Sequence, residues 1–245
     1  MTLDTAVNLT SGMMAAAFIQ QSLEHLRPAV RLQERLLFVP RLLLSVLLLA
    51  ASLGIHLPGI GPSLLALALV VNHLFILSFF NGPYNGGADR MSLLVLLCLT
   101  CTFNLSNPAW QELAFGYLGI QLLLSYLIAG WVKIKNPDWR SGKALRDVFL
   151  FSAYPAGENI RKWADRPRIL FGAGWAVMIF ELAFPLTFLS APTLIAGLAI
   201  AALFHGANAC LFGLNRFFWI WICAYPSILW LQERVMTAAV RPPLG

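Results

Sequence analysis

Glu112-Leu113-Ala114-Phe115-Gly116-Tyr117-Leu118-Gly119-Ile120-Gln121-Leu122-Leu123-Leu124-Ser125-Tyr126-Leu127-Ile128-Ala129-Gly130-Trp131-Val132-Lys133-Ile134 carries no charge between Leu113 and Val132. A helix rises about 1.5 Å per residue and the hydrocarbon layer of a bilayer is about 30 Å thick, so this stretch is long enough to cross it. The rest of the chain repeats the pattern. Residues 36–57, 63–80, 91–105, 169–190, 194–212 and 217–231 are further apolar stretches. Turn formers stand between them: Pro58-Gly59 with Gly61-Pro62, the run from Asn81 to Gly87, and Asn107-Pro108. Over all 245 residues 59% are hydrophobic and 11% charged, a balance that excludes a soluble domain. The mean hydropathy of +0.73 agrees. The expected fold is an all-α polytopic membrane helical bundle with six or seven transmembrane helices plus surface amphipathic helices.

Three regions follow from this reading. Residues 1–35 form an amino-terminal cytoplasmic or interfacial segment, 36–231 the transmembrane domain with a basic connection at 135–168, and 232–245 a tail. Within the first, residues 13–35 are apolar and then basic, the pattern of a helix lying on the inner membrane surface. Residues 1–10 lack the features of a secretory signal, so the first span is expected to direct insertion. Arg90, Arg216 and the basic residues between Lys133 and Arg168 fall on one side when the connections alternate, which by the positive-inside rule puts the amino terminus in the cytoplasm. The net charge of +6 comes mostly from the basic connection and needs no nucleic acid to explain it. Residues 139–151 alternate apolar groups and cations at helical spacing, which fits a surface helix on anionic headgroups or a docking surface for a membrane-protein partner.

Polar groups inside the spans are costly and therefore informative. They are Asn72 and His73, Asn104, Gln121, Glu181, and His205 with Asn208. Counted from the outer end of each stretch, His73, Gln121, Glu181 and His205 lie about 14–18 Å deep, so four helices offer polar groups at one level. Interhelical hydrogen bonding is the structural explanation for such groups. Two histidines and a glutamate at one depth point instead to a functional centre. No second histidine stands one turn from either to make a ligand pair, so no metal site is expected.

Lys133, one turn after Gly130, has two readings. Its ammonium reaches the headgroups by snorkelling, or it turns back into the bundle, where desolvation favours the neutral amine and a proton-accepting role. The four cysteines all sit in apolar stretches and behave as small hydrophobes rather than a disulfide framework. Cys98-Leu99-Thr100-Cys101 leaves a membrane thiol-quinone oxidoreductase as one alternative.

Three segments, in order, resemble the transmembrane part of the vitamin K-dependent gamma-carboxylases and their bacterial relatives, the horizontally transferred transmembrane domain (HTTM) proteins. They are Asn72-His73; Tyr126-Leu127-Ile128-Ala129-Gly130 leading to Lys133 and Asp138-Trp139; and Phe204-His205-Gly206-Ala207-Asn208-Ala209-Cys210-Leu211-Phe212, followed by Phe217 and Pro226. Glu181 in Phe180-Glu181-Leu182 fits an acidic helix position of the bacterial relatives. The resemblance spans residues 40–230. It implies an integral membrane enzyme, most simply of a bacterial inner membrane, with a reduced, vitamin K-like quinone as cofactor. Lys133 would be the general base, with His73 and His205 as further catalytic residues. Asn72, Gln121, Tyr126, Glu181 and Asn208 would contact the substrate.

A lipophilic or peptide substrate and membrane lipid are the partners this implies. The large extramembrane portion with which the carboxylases hold protein substrates has no counterpart in the sequence, so carboxylation or oxygenation of a lipophilic molecule is expected in preference to protein carboxylation. A non-catalytic membrane subunit or lipid-binding scaffold is the remaining alternative.

Overall fold

The structure is a computed structural model and describes residues 1–26, 31–80, 86–152 and 158–240. Helices account for nearly all of it, with no strand among the described residues. They are α1 (Leu3–His25), α2 (Leu32–Ser52), α3 (Pro62–Phe79), α4 (Gly87–Asn104), α5 (Pro108–Lys135), α6 (Pro137–Arg140), α7 (Lys143–Phe151), α8 (Glu158–Arg161), α9 (Pro167–Ala183), α10 (Ala191–Phe212), α11 (Asn215–Cys223) and α12 (Tyr225–Val240). Short 3-10 helices cover Lys162–Asp165 and Phe184–Leu189. Most of the expected punctuation recurs as helix starts, because proline has no N–H to lose in a first turn. Pro62, Pro108, Pro137 and Pro167 each open a helix. Ser190 caps α10 by accepting from the Thr193 N–H (3.3 Å), and Gly213, at φ 68°, ends it. The expected turn at residues 81–85 lies outside the described residues.

Five segments are long and apolar enough to cross a membrane: Leu32–Ser52, Pro62–Phe79, Pro108–Lys135, Pro167–Leu189 and Ala191–Phe212. Their outward side chains are large and apolar: Leu203 is 75% exposed and Leu43 60%, which water would penalise and acyl chains would not. The chain is an integral membrane protein. The stretch 91–105 is realised as α4, whose first turns hold Asp89 and Arg90. Residues 217–231 do not form one helix. Pro226 cannot donate to the carbonyl four residues back, and the chain breaks at Ala224 between α11 and α12.

The chain divides into two compact units, one of Met1–Gly119 with Trp219–Gly245, the other of Ile120–Phe218. In the first, the helix expected over 13–35 is realised as α1 over Leu3–His25, packed on α2, α4 and α12 rather than lying on a surface by its apolar face alone. Gly12 permits the contact with α2, since a Cβ there would stand 2.8 Å from Ser52 Oγ.

In the second unit the stretch 139–151 is two helices, not one. Gly142 turns the chain in the left-handed region (φ 80°) with the Phe171 backbone 3.1 Å from where a Cβ would be. Trp175 Nε1 donates to the Arg140 carbonyl (3.2 Å), fastening this elbow to α9. Phe149 of α7 packs edge-on against Phe212 (ring centroids 5.1 Å) beside Leu170 and Ala164, so part of the apolar face is spent on protein. Lys143 donates to Asp147 Oδ2 (3.0 Å). That bond, with the charges of Asp138 and Asp147, holds its ammonium above the ordinary lysine range.

Candidate functional site

In the second unit α5 and α9 meet at Gly130. A Cβ on Gly130 would lie 2.9 Å from the Leu182 backbone nitrogen and 3.0 Å from Glu181 Cβ, a separation only hydrogen allows. Side chains on a helix lean toward its amino terminus, so Lys133 reaches back over Gly130 toward α9. Its Nζ donates to both carboxylate oxygens of Glu181, at 2.6 Å to Oε2. The Lys133 side chain is 20% exposed and that of Glu181 4%. Lys133 is therefore not a snorkelling lysine, although Lys135 fits that description with its Nζ 4.6 Å from the Trp131 ring centre. Trp139 stands over Lys133 Nζ at 5.3 Å, a cation-π contact supplied by the segment just past the helix end.

Two turns earlier on α5, Tyr126 meets α10. Its hydroxyl and His205 Nε2 are 2.7 Å apart, and both residues are buried. Aromatic rings enclose the pair. Phe184 lies 4.0 Å from the Tyr126 ring centre and Phe217 5.1 Å from that of His205. Phe180, adjacent to Glu181, meets Tyr126 edge-on at 6.1 Å. Four of the expected residues, Tyr126, Lys133, Glu181 and His205, thus form two directly bonded pairs on three helices joined by this aromatic group. Gln121 and Asn208 are half-buried, and their side chains hydrogen-bond to none of the described residues, so they enter neither pair. Asn104 is exposed at the end of α4, accepting from Ser63 Oγ (2.7 Å).

His73 and Asn72 belong to the first unit, and their arrangement turns on a residue the sequence reading passed over. Arg41 is wholly buried. Its guanidinium donates to Asn72 Oδ1 (3.0 Å), Gln21 Oε1 (2.8 Å) and His73 Nδ1 (2.6 Å), and it lies 4.1 Å from the centre of the Phe18 ring. A guanidinium only donates, so Nδ1 of His73 accepts. The proton of the neutral ring then sits on Nε2, which donates to the Asp89 carbonyl (3.0 Å). Both ring nitrogens are engaged. Asn72 Nδ2 in turn donates to the Leu37 carbonyl (2.9 Å). The signal for Arg41 was an ionisable residue in an expected span, five positions from its start.

Cys98 is buried and Cys101 exposed, both as free thiols. No group of three His, Cys, Asp or Glu side chains stands ready for a metal among the described residues.

The family model of the HTTM domain matches residues 87–232, more than half of the chain. The chain belongs to the HTTM family. Its HTTM domain is a membrane domain related to the carboxylase, and the match takes in Gln121, Tyr126, Lys133, Glu181, His205 and Asn208. Asn72, His73 and Arg41 precede the matched region. No curated protein and no solved structure matches the chain.

Proposed function

We propose that this HTTM protein is a membrane enzyme that removes a proton from a quinol or a related lipophilic substrate, with Lys133 as the general base. The observation that carries the reading is the Lys133–Glu181 pair, joined by a 2.6 Å hydrogen bond between helices in an apolar setting. In low dielectric a charged pair loses much of its advantage over a neutral one, because both ions lose their hydration. Glu181 Oε2 then takes the ammonium proton, leaving a carboxylic acid and a free amine on Lys133 Nζ. That amine accepts a hydroxyl proton from the substrate. The products are an ammonium beside a neutral acid and the substrate's oxyanion, whose charge the ammonium balances.

The donor set suits a reduced quinone: a phenol, an imidazole and an amine for its oxygens, and the rings of Phe180, Phe184 and Phe217 for its flat apolar body. A reduced quinone held there would supply the electrons for oxygenation or carboxylation. His205 and Tyr126 would orient the substrate oxygen. Asn72 and His73 belong to the first unit, where Arg41 locks them, and neither nitrogen of His73 is left over for proton transfer. Gln121 and Asn208 retain open hydrogen-bonding capacity for a substrate.

The test is turnover of the purified protein with candidate quinols, together with mass spectrometry of the molecules that copurify. Lys133→Met is expected to abolish turnover while a folded protein remains. Unchanged turnover in that variant rules out the base. The second reading, a non-catalytic lipid-binding subunit, is favoured by the same pair being internally satisfied. It predicts bound lipid without chemistry, and normal behaviour of a Lys133→Met/Glu181→Leu double variant. A bacterial inner membrane and a cytoplasmic amino terminus complete the proposal, resting on the basic connection at 135–168.

A further inference from the structure

A cleft of about 350 Å³ opens where α8 and the Lys162–Asp165 turn meet the start of α9, lined by Asn159, Lys162, Trp163, Arg166 and Ile169. The side chains of Lys162 and Arg166 form no ion pair within the described residues, although Asp165 stands in the same turn. Two positive charges face one cavity with no anion among the described residues that line it. The start of α9 adds to the field. Arg166 occupies its N-cap with no side-chain cap, and the positive end of the helix dipole points to the cleft.

Three observations say what kind of anion belongs there. Pro167–Leu189 is one of the apolar segments long enough to cross a membrane, so the cleft lies at the end of a span. Its walls are apolar as well as basic, with Trp163 48% and Ile169 49% exposed. The guanidinium of Arg161 donates to the carbonyls of Leu150 and Ser152, which sets Phe151, 77% exposed, beside the same turn. A free phosphate ion has no use for exposed tryptophan, isoleucine and phenylalanine, whereas a phospholipid brings a phosphate and an acyl chain together.

We propose that this cleft binds the phosphate of an anionic phospholipid, with Lys162 and Arg166 on its oxygens and Trp163 against the glycerol and upper acyl carbons. The site is independent of the catalytic reading, and either stands without the other.

The test is native mass spectrometry of the full-length protein in neutral detergent, titrated with phosphatidylglycerol or phosphatidylcholine. Wild type is expected to retain one phosphatidylglycerol in preference to phosphatidylcholine. Lys162→Gln/Arg166→Gln is expected to weaken retention about thirty-fold, at roughly 1 kcal/mol for each of the two cations. Lys143→Gln/Arg146→Gln, which removes the same charge from α7, is expected to change it about two-fold or less, and Arg166→Lys to preserve it should the double variant prove unstable. Equal loss in the two double variants, or no preference for the anionic lipid, overturns the site. Displacement of the lipid by millimolar inorganic phosphate overturns the lipid assignment in favour of a free-phosphate site.

Discussion

Lys133 Nζ donates to both carboxylate oxygens of Glu181 across a helix contact that Gly130 keeps close. Removing one partner of a fully buried pair costs about 3–5 kcal/mol because the other is left charged and dry. Lys133 is partly exposed, so Glu181→Gln is expected to cost about 2 kcal/mol, discounted for screening. Lys133→Met/Glu181→Leu is expected to recover most of the loss. Thermal unfolding in detergent of wild type, Lys133→Met, Glu181→Leu and the double variant closes the cycle; additive losses would show that the two side chains do not interact.

Gly130→Ala places a methyl group against backbone, which has little freedom to retreat. Overpacking of this kind costs about 1–3 kcal/mol, and turnover is expected to fall with it as the lysine is moved off the glutamate. Gly172→Ala is the control. Nothing lies within 4 Å of its Cβ position, and an alanine there is expected to gain up to about 1 kcal/mol of helix stability. Melting temperatures that shift alike for both variants contradict the close-approach argument.

Tyr126→Phe deletes the hydroxyl that meets His205 Nε2 at 2.7 Å and leaves a buried nitrogen without that bond. The expected loss is about 1–3 kcal/mol in the unfolding free energy. If His205 orients substrate through this contact, the Michaelis constant also rises, and a variant equal to wild type in both respects removes Tyr126 from the site.

Arg41→Lys is expected to be poorly tolerated. A lysine presents one nitrogen where the guanidinium reaches Asn72, Gln21 and His73 at once, and hydrogen bonds from a charged donor are worth about 1.5–3 kcal/mol each. Nitrogen-15 spectra of histidine-labelled protein check the geometry directly. Wild type should show His73 protonated on Nε2, and Arg41→Met should lose that single tautomer. A mixed tautomer population in wild type contradicts the assignment.

Much of this was legible before any coordinates. A polar side chain in an apolar stretch is expensive, so Glu181 and His205 stood out from their neighbours, while Lys133 was marked by its place one turn after Gly130 and Tyr126 by the family resemblance alone. Their partners did not. Lys133 and Glu181 are 48 positions apart, Tyr126 and His205 79, and counting depth along a helix supplies the level of a residue but not the direction it faces. Arg41 went unseen because a cation close to the beginning of a span reads as part of its polar end. The break at Ala224 was announced by Pro226, which hydropathy averages away. Gly142 likewise ended α6 inside a pattern whose apolar spacing continued through it.

The unequal exposure of the two partners, 20% for Lys133 against 4% for Glu181, gives their junction an outside and an inside. A proton arriving from the surroundings meets the amine before the acid, and one surrendered by the acid leaves through the amine. Loss of the extra proton after each cycle would thus run through a doorway at the foot of α5, guarded by the indole of Trp139, and widening that doorway would alter how fast the centre resets without touching what it binds.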